Sequence, residues 1–289
     1  MGVTLIVNPF ATRVTEERVR DLEQRLEVVE TLLTERRGHA TDLAAGAKGE
    51  AVFAYGGDGL VNEVLNGLPA DKLLGVVAGG HTNVLARALG IPDDPAQAVR
   101  ERRISVGRVN GRRFSFGAGI GVDSETVREL ETKKRLEDGR RRGDLAYARV
   151  IARRLFRGYE PRLQIDGLGR AGLLFVSNDA VYTYAGWRAF TFSPEARFEL
   201  GLDLVAPERL GGASSLRLAM RVAAGRGLAG MPGVLSAHDL DAISVRCDEP
   251  LPLQADGEDL GDVTEALFEA ERDAVSVLVA ANQELPSPP

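Results

Sequence analysis

The chain has 289 residues, 44% hydrophobic and 27% charged, and its 36 basic and 42 acidic side chains leave a net charge of −6. That length exceeds what one compact domain usually needs, so two domains with substantial cores are expected, and the acidic balance excludes a nucleic-acid binder. One cysteine and three histidines exclude an intrachain disulfide and a zinc cluster; no apolar run approaches a membrane span of ~20 residues, and no signal peptide is read, so a cytoplasmic protein without a transmembrane segment is expected.

Residues 3–7 form an apolar strand stopped by Asn8-Pro9. A helix is predicted over 16–34, with Val19, Leu22, Leu26, Val29 and Leu33 along one face and Gly38 at its end. Residues 51–55 are a buried strand that runs into Gly56, Gly57 and Gly59, with Asp58 among them. Leu60, Val61, Val64, Leu65 and Leu68 then recur at helical spacing, with a stop at Asn66-Gly67. The device repeats: strand 74–78, then Gly79-Gly80-His81-Thr82-Asn83, then a helix over 84–89 stopped by Gly90 and Pro92. Alternating strands and helices predict a parallel sheet, whose ligands bind at the carboxyl ends of the strands. A glycine turn opening a helix leaves free N–H groups at a positive dipole end, where phosphate can approach closely. For a lone Gly-Gly-x-Gly, a packing turn with Asp58 as a helix cap is the favoured reading.

Strands over 104–109 and 112–118 flank Asn110-Gly111, a hairpin signal. Asp123 or Ser124 is placed to cap a following charged helix over 125–139. A further helix runs from 140 to about 156, with Arg142, Arg149, Arg153 and Arg157 on one face, either solvated or facing an anionic lipid surface. Beyond 162 the chain reads as strand-rich, with a buried strand at 173–178. Tyr182, Tyr184, Trp187, Phe190 and Phe192 are read as sheet packing or, at lower odds, as a cleft. A helix and glycine-rich loop are expected over 216–233, strands at 242–246, 251–254 and 274–280, and a turn at Asp256-Gly257-Glu258. Residues 281–289 are expected to be a disordered tail.

The string GGDGLVNEVLNGL, residues 56–68, resembles the signature of the diacylglycerol kinase and sphingosine kinase family of lipid kinases. GGHTNVLARALGIP, Asn8-Pro9, Gly121-Val122-Asp123-Ser124 and Asp256-Gly257-Glu258 are similar to further motifs of that family, so the resemblance covers nearly the whole chain. It implies an α/β, Rossmann-like nucleotide-binding domain of the NAD kinase and diacylglycerol kinase type over 1–121. A β-rich, sandwich-like domain would follow over 122–280, its last segment returning to the first domain, with the active site in the cleft between them. By the same resemblance the chain is an ATP-dependent, Mg²⁺-assisted kinase that moves a γ-phosphoryl group to a lipid hydroxyl, such as that of diacylglycerol, reached at a membrane surface. Asn8, Gly56, Gly57, Gly59, Glu63, Gly80, His81, Asn83, Arg140, Arg142, Gly257 and Glu258 are implied to bind the nucleotide. Asp58 is implied to sit beside the metal, Asp123 to orient the lipid head, and Asp256, or Asp58, to be the general base. A homodimer stays open.

Leu60 and His81 stand where many members carry a hydroxyl, and Glu199-Leu200 replaces a pair of aspartates. These departures motivate a second reading, a weakened or inactive binding protein on the same scaffold. A third, an NAD kinase-type enzyme, is demoted because the only Asn-Glu is Asn62-Glu63, inside the first motif.

Overall fold

A computed structural model describes residues 2–121, 124–126, 128–129 and 158–281. Asp123, Arg140, Arg142, the helices expected between 130 and 156, and the tail beyond 281 lie outside the described residues. The chain divides into two compact units, the first formed by residues up to 106 together with those from 271, the second by residues 107–270.

The first unit is α/β. Its elements are β1 (Val3–Val7), α1 (Glu16–Arg25), β2 (Val28–Leu33), α2 (His39–Ala45), β3 (Ala51–Gly56), α3 (Asp58–Gly67), β4 (Leu73–Ala78), α4 (Val84–Ala88) and the start of β5 (Ala98–Val109). Strand order is β2-β1-β3-β4, all parallel, and the last strand of the chain pairs parallel to β4 through Ser276 and Val277. β1 and β3 are buried along their whole length, as continuous apolar runs with helices on both faces should be.

The helix expected over 16–34 is two elements. Thr15 caps α1 by accepting from the Arg18 N–H at 3.2 Å, and the helix ends at Arg25, with Leu26 already extended. Val28–Leu33 instead forms β2, paired to β1. Val29 and Leu33, expected on a buried helix face, are 58% and 54% exposed on this edge strand. Short apolar runs fit either period, and the β-branched Val28, Val29 and Thr31 suit the strand once β1 offers its backbone.

The second unit is β-rich, and every pairing described in it is antiparallel. β5 turns at Asn110 (φ 48°) and Gly111 (φ 87°) into β6 (Arg112–Phe114), the primed turn that Asn-Gly predicts. β7 (Gly117–Ile120), β8 (Leu163–Ile165), β9 (Gly169–Ala171), β10 (Leu174–Ser177), β11 (Thr183–Ala185), β12 (Arg188–Phe190) and β13 (Leu202–Pro207) follow. Then come α5 (Gly212–Ala223), β14 (Val234–Leu240), β15 (Ala242–Ala255) and β16 (Glu258–Ala280), which ends in the first unit. β15 is one strand where two were expected. Its register with β16 slips between Arg246 and Leu251 and again between Pro252 and Gln254, so the ladder is irregular on either side of Pro250 and Pro252 rather than broken there. One core lies among Phe114, Leu174, Leu204, Leu253 and Phe268; a second lies under α5, around Phe175, Tyr182 and Leu218.

Asp203 on β13 is buried and pairs with Nδ1 of His238 on β14 at 2.7 Å. The hydrogen bond to Asp203 raises the His238 imidazole above its ordinary value, and burial raises the Asp203 carboxyl despite that partner. Both shifts mean that the folded pair holds protons more tightly than the unfolded chain. The His238 contribution is therefore complete below its unfolded value of about 6.5 and is lost as pH rises through the higher folded one. The thermal midpoint is expected to fall from pH 6.5 towards pH 8.5, and His238→Gln to flatten that slope. Equal slopes for the two proteins in a melting series would show that the pair does not govern it.

Candidate functional site

Registers Val7↔Tyr55 and Gly56↔Ala78 bring the carboxyl ends of β1, β3 and β4 level. Three loops leave there, and their backbones interlock. The Gly79 N–H donates to the Gly56 carbonyl at 2.7 Å, the Asn8 N–H to the Tyr55 carbonyl at 3.1 Å, and the Arg13 N–H to the Gly79 carbonyl at 3.0 Å. The two glycine turns touch. A Cβ on Gly80 would lie 2.5 Å from the Gly57 Cα, and a Cβ on Gly79 2.9 Å from the Gly56 Cα. No side chain caps α3, whose N-cap is Gly57, so its first turn presents the uncapped N-terminus that anions favour.

Polar side chains around the turns hold them in place. Asn83, in the left-handed region at φ 49°, accepts from the Gly80 N–H through Oδ1 and donates to the Gly80 carbonyl through Nδ2, both at 3.0 Å. Asp58 Oδ1 accepts from the Val84 N–H at 2.6 Å, so the carboxylate that opens α3 also ties the first turn to the start of α4. Asn8 Oδ1 accepts from the Phe10 N–H, shaping its own loop. Glu63 is buried and faces α2, where its carboxylate accepts from the Gly38 and Ala40 N–H groups at 2.8 and 3.2 Å. Gly67 belongs to the same seam, since a Cβ there would run into the Thr41 carbonyl. The second half of the 56–68 motif thus fastens α2 to α3, while its first half forms the turn. Leu60 is buried beneath Gly56, and His81 is exposed.

The remaining sequence candidates lie in the second unit. Asp256 (φ 49°) and Gly257 (φ 77°) are the two central residues of the tight turn joining β15 to β16. The Asp256 carboxylate is 5% exposed and accepts four hydrogen bonds. Oδ2 takes the Ser115 N–H at 2.6 Å and the Ser115 hydroxyl at 2.9 Å; Oδ1 takes the Phe116 and Gly117 N–H groups at 3.0 and 3.2 Å. Glu258 pairs with the Arg112 guanidinium at 2.6 Å. Ser115 and Arg112 were not singled out from the sequence. They lie more than 140 residues from their partners, and only strand pairing joins them.

Among the described residues no group of three or more carboxylates, imidazoles or thiols could hold a metal ion. Asp58 lies inside the first glycine turn, a single carboxylate of the kind that would join phosphate oxygens and waters around a magnesium ion. Also among the described residues, no helix is long and apolar enough to cross a membrane.

Residues 2–109 match the family described as the diacylglycerol kinase catalytic domain. A diacylglycerol kinase of Bacillus subtilis (strain 168) is 36% identical over 149 residues, 45% of this chain and 48% of that protein. One of Staphylococcus saprophyticus is 36% identical over 112 residues, 35% of this chain and 37% of that protein. The chain thus matches about half the length, or less, of these curated relatives. A crystal structure described as a diacylglycerol kinase from Bacillus anthracis (str. Sterne) superposes with a TM-score of 0.71, at 22% identity and 97% coverage of both chains. At that identity the likeness establishes the fold.

Because the Gly80 Cβ would meet main chain rather than a flexible side chain, Gly80→Ala is expected to push the turns apart. Overpacking of this kind typically costs about 1–3 kcal/mol. A lowered thermal midpoint, measured by scanning calorimetry, is the expected result; a variant that melts as the parent does would show that the contact is dispensable.

Proposed function

We propose that the chain, whose residues 2–109 match the diacylglycerol kinase catalytic-domain family, is an ATP-dependent lipid kinase. It would transfer the γ-phosphoryl group to the hydroxyl of diacylglycerol or a similar lipid alcohol. The observation that carries this reading is the backbone contact between Gly57 and Gly80. It sets two glycine turns side by side at the carboxyl end of a parallel sheet, a fitting cradle for adjacent phosphates.

Phosphoryl transfer asks the protein mainly to position its reactants and neutralise charge. Gly56, Gly57, Gly59 and Gly80 would approach the phosphates, with Asn83 and Asn8 fixing the loops around them. When bound, Mg²⁺ would supply charge neutralisation at the phosphate oxygens, and Asp58 is the side chain proposed to face it. Asp256 is the proposed proton acceptor. Among its described donors are three main-chain N–H groups and the Ser115 hydroxyl, which can rotate away without disturbing the backbone. A lipid hydroxyl would take the place of that donor. Arg140 and Arg142 remain the proposed phosphate contacts and Asp123 the proposed contact to the lipid head, on resemblance alone.

Asp58→Asn separates chemistry from folding. An asparagine oxygen still accepts from the Val84 N–H, and Asn caps about as well as Asp, so the thermal midpoint should hold. Turnover of diacylglycerol in mixed micelles with ATP and Mg²⁺ should fall at least about 100-fold, as when one transition-state contact is lost. Phosphorylation of NAD in place of the lipid, or an Asp58→Asn variant as fast as the parent, would overturn the assignment.

A further inference from the structure

The second unit carries an exposed apolar surface that the proposed chemistry does not use. Trp187, the single tryptophan, is 88% exposed. It sits with Gly186 in the two-residue turn between β11 and β12. Gly186 has φ +59°, and glycine at the first central position makes this a short, well-defined hairpin turn. The hairpin is anchored from behind. The Phe192 ring stacks on Phe175 with centroids 4.1 Å apart and lies 4.7 Å from the Tyr182 ring. The Arg188 guanidinium donates to the Ala223 carbonyl at the end of α5, and the Leu228 N–H donates to the Phe192 carbonyl at 2.7 Å. Hairpin and helix therefore form one surface.

α5 turns Ser215 and Leu218 inward and leaves Leu216 and Met220 outward, 51% and 57% exposed. Residues 216 and 220 are four apart, one above the other on the same helical face. The hairpin tip and the helix carry Arg188, Arg217 and Arg221 and no aspartate or glutamate, with Arg226 just beyond the helix, while Asp179, Glu195, Glu208 and Asp239 flank these segments. Arg209 is paired with Glu160 at 2.9 Å, outside these segments.

We propose that this face, the Trp187 hairpin tip with the outer side of α5, docks the second unit onto an anionic lipid bilayer. It extends the lipid-kinase reading, on which it rests for its purpose. Tryptophan favours the headgroup level, where its ring is buried and its N–H stays wet. An exposed Leu and Met on a helix that also carries arginines suit a surface that is apolar below and negative above. A positive patch on an acidic protein directs the encounter, since a like-charged face would be repelled from the same bilayer.

The single tryptophan reports the contact directly. Phosphatidylglycerol vesicles added without nucleotide should shift its emission to the blue and carry the protein down in sedimentation, whereas phosphatidylcholine vesicles should do neither. Raising salt should weaken the binding. The exposed variant Arg217→Glu/Met220→Gln should keep its thermal midpoint, bind these vesicles at least about tenfold more weakly, and still phosphorylate diacylglycerol in nonionic micelles. Vesicle binding without a blue shift, binding unchanged in the variant, or a shift that follows protein concentration without vesicles (pairing with a second copy) would overturn the proposal. Micellar turnover with no vesicle binding would sink the docking face and leave the kinase reading intact; vesicle binding with no turnover would do the reverse.

Discussion

The first unit depends on the absence of two side chains. Where β3 and β4 end, Gly57 and Gly80 approach so closely that a methyl group on Gly80 would lie 2.5 Å from the Gly57 Cα, well inside van der Waals contact. A parallel sheet sets neighbouring strands just under 5 Å apart, so consecutive strand-to-helix turns crowd each other at its carboxyl edge. Glycine relieves the crowding and also leaves main-chain N–H groups accessible. The residues that packing requires are thus the ones proposed to approach phosphate. Asp58 and Asn83 then lock the turns by hydrogen bonds that cross from one loop to the other or close a loop on itself.

Much of this was legible in the sequence because it concerns the backbone. Glycine runs after apolar strands mark turns whatever surrounds them, and Asn110-Gly111 and Asp256-Gly257 announced tight turns that the structure contains. What was hidden depends on partners distant along the chain. Glu63 and Gly67 stand inside the 56–68 glycine motif, yet Glu63 engages the start of α2 and Gly67 gives room to Thr41, and α2 itself left no strong period. The stretch 16–34 misled for the opposite reason. Its apolar spacing fits a helix, and only the open edge of β1 decides that Val28–Leu33 extends the sheet.

Asp256 shows how a turn residue becomes more than a turn residue. Left-handed geometry at Asp256 and Gly257 is satisfied by the dipeptide alone, but the hairpin also aims the carboxylate at residues 115–117. Three main-chain donors and one hydroxyl converge there, so this anion is built into the sheet rather than dangling in solvent. Replacing it with an apolar residue would strand buried N–H groups, each at a cost of about 1–3 kcal/mol. Loss of activity in such a variant would therefore report folding as much as chemistry.

The first unit is assembled from both ends of the chain, since Ser276 and Val277 supply the neighbour of β4 on its outer side. On a ribosome that emits the chain from its amino end, β4 must wait for about two hundred further residues before that flank is covered. Until then its unpaired amides can pair with another nascent chain. A molecule whose first unit closes last has reason to fold its central unit first, and the strand that leaves that unit is the one that seals the other.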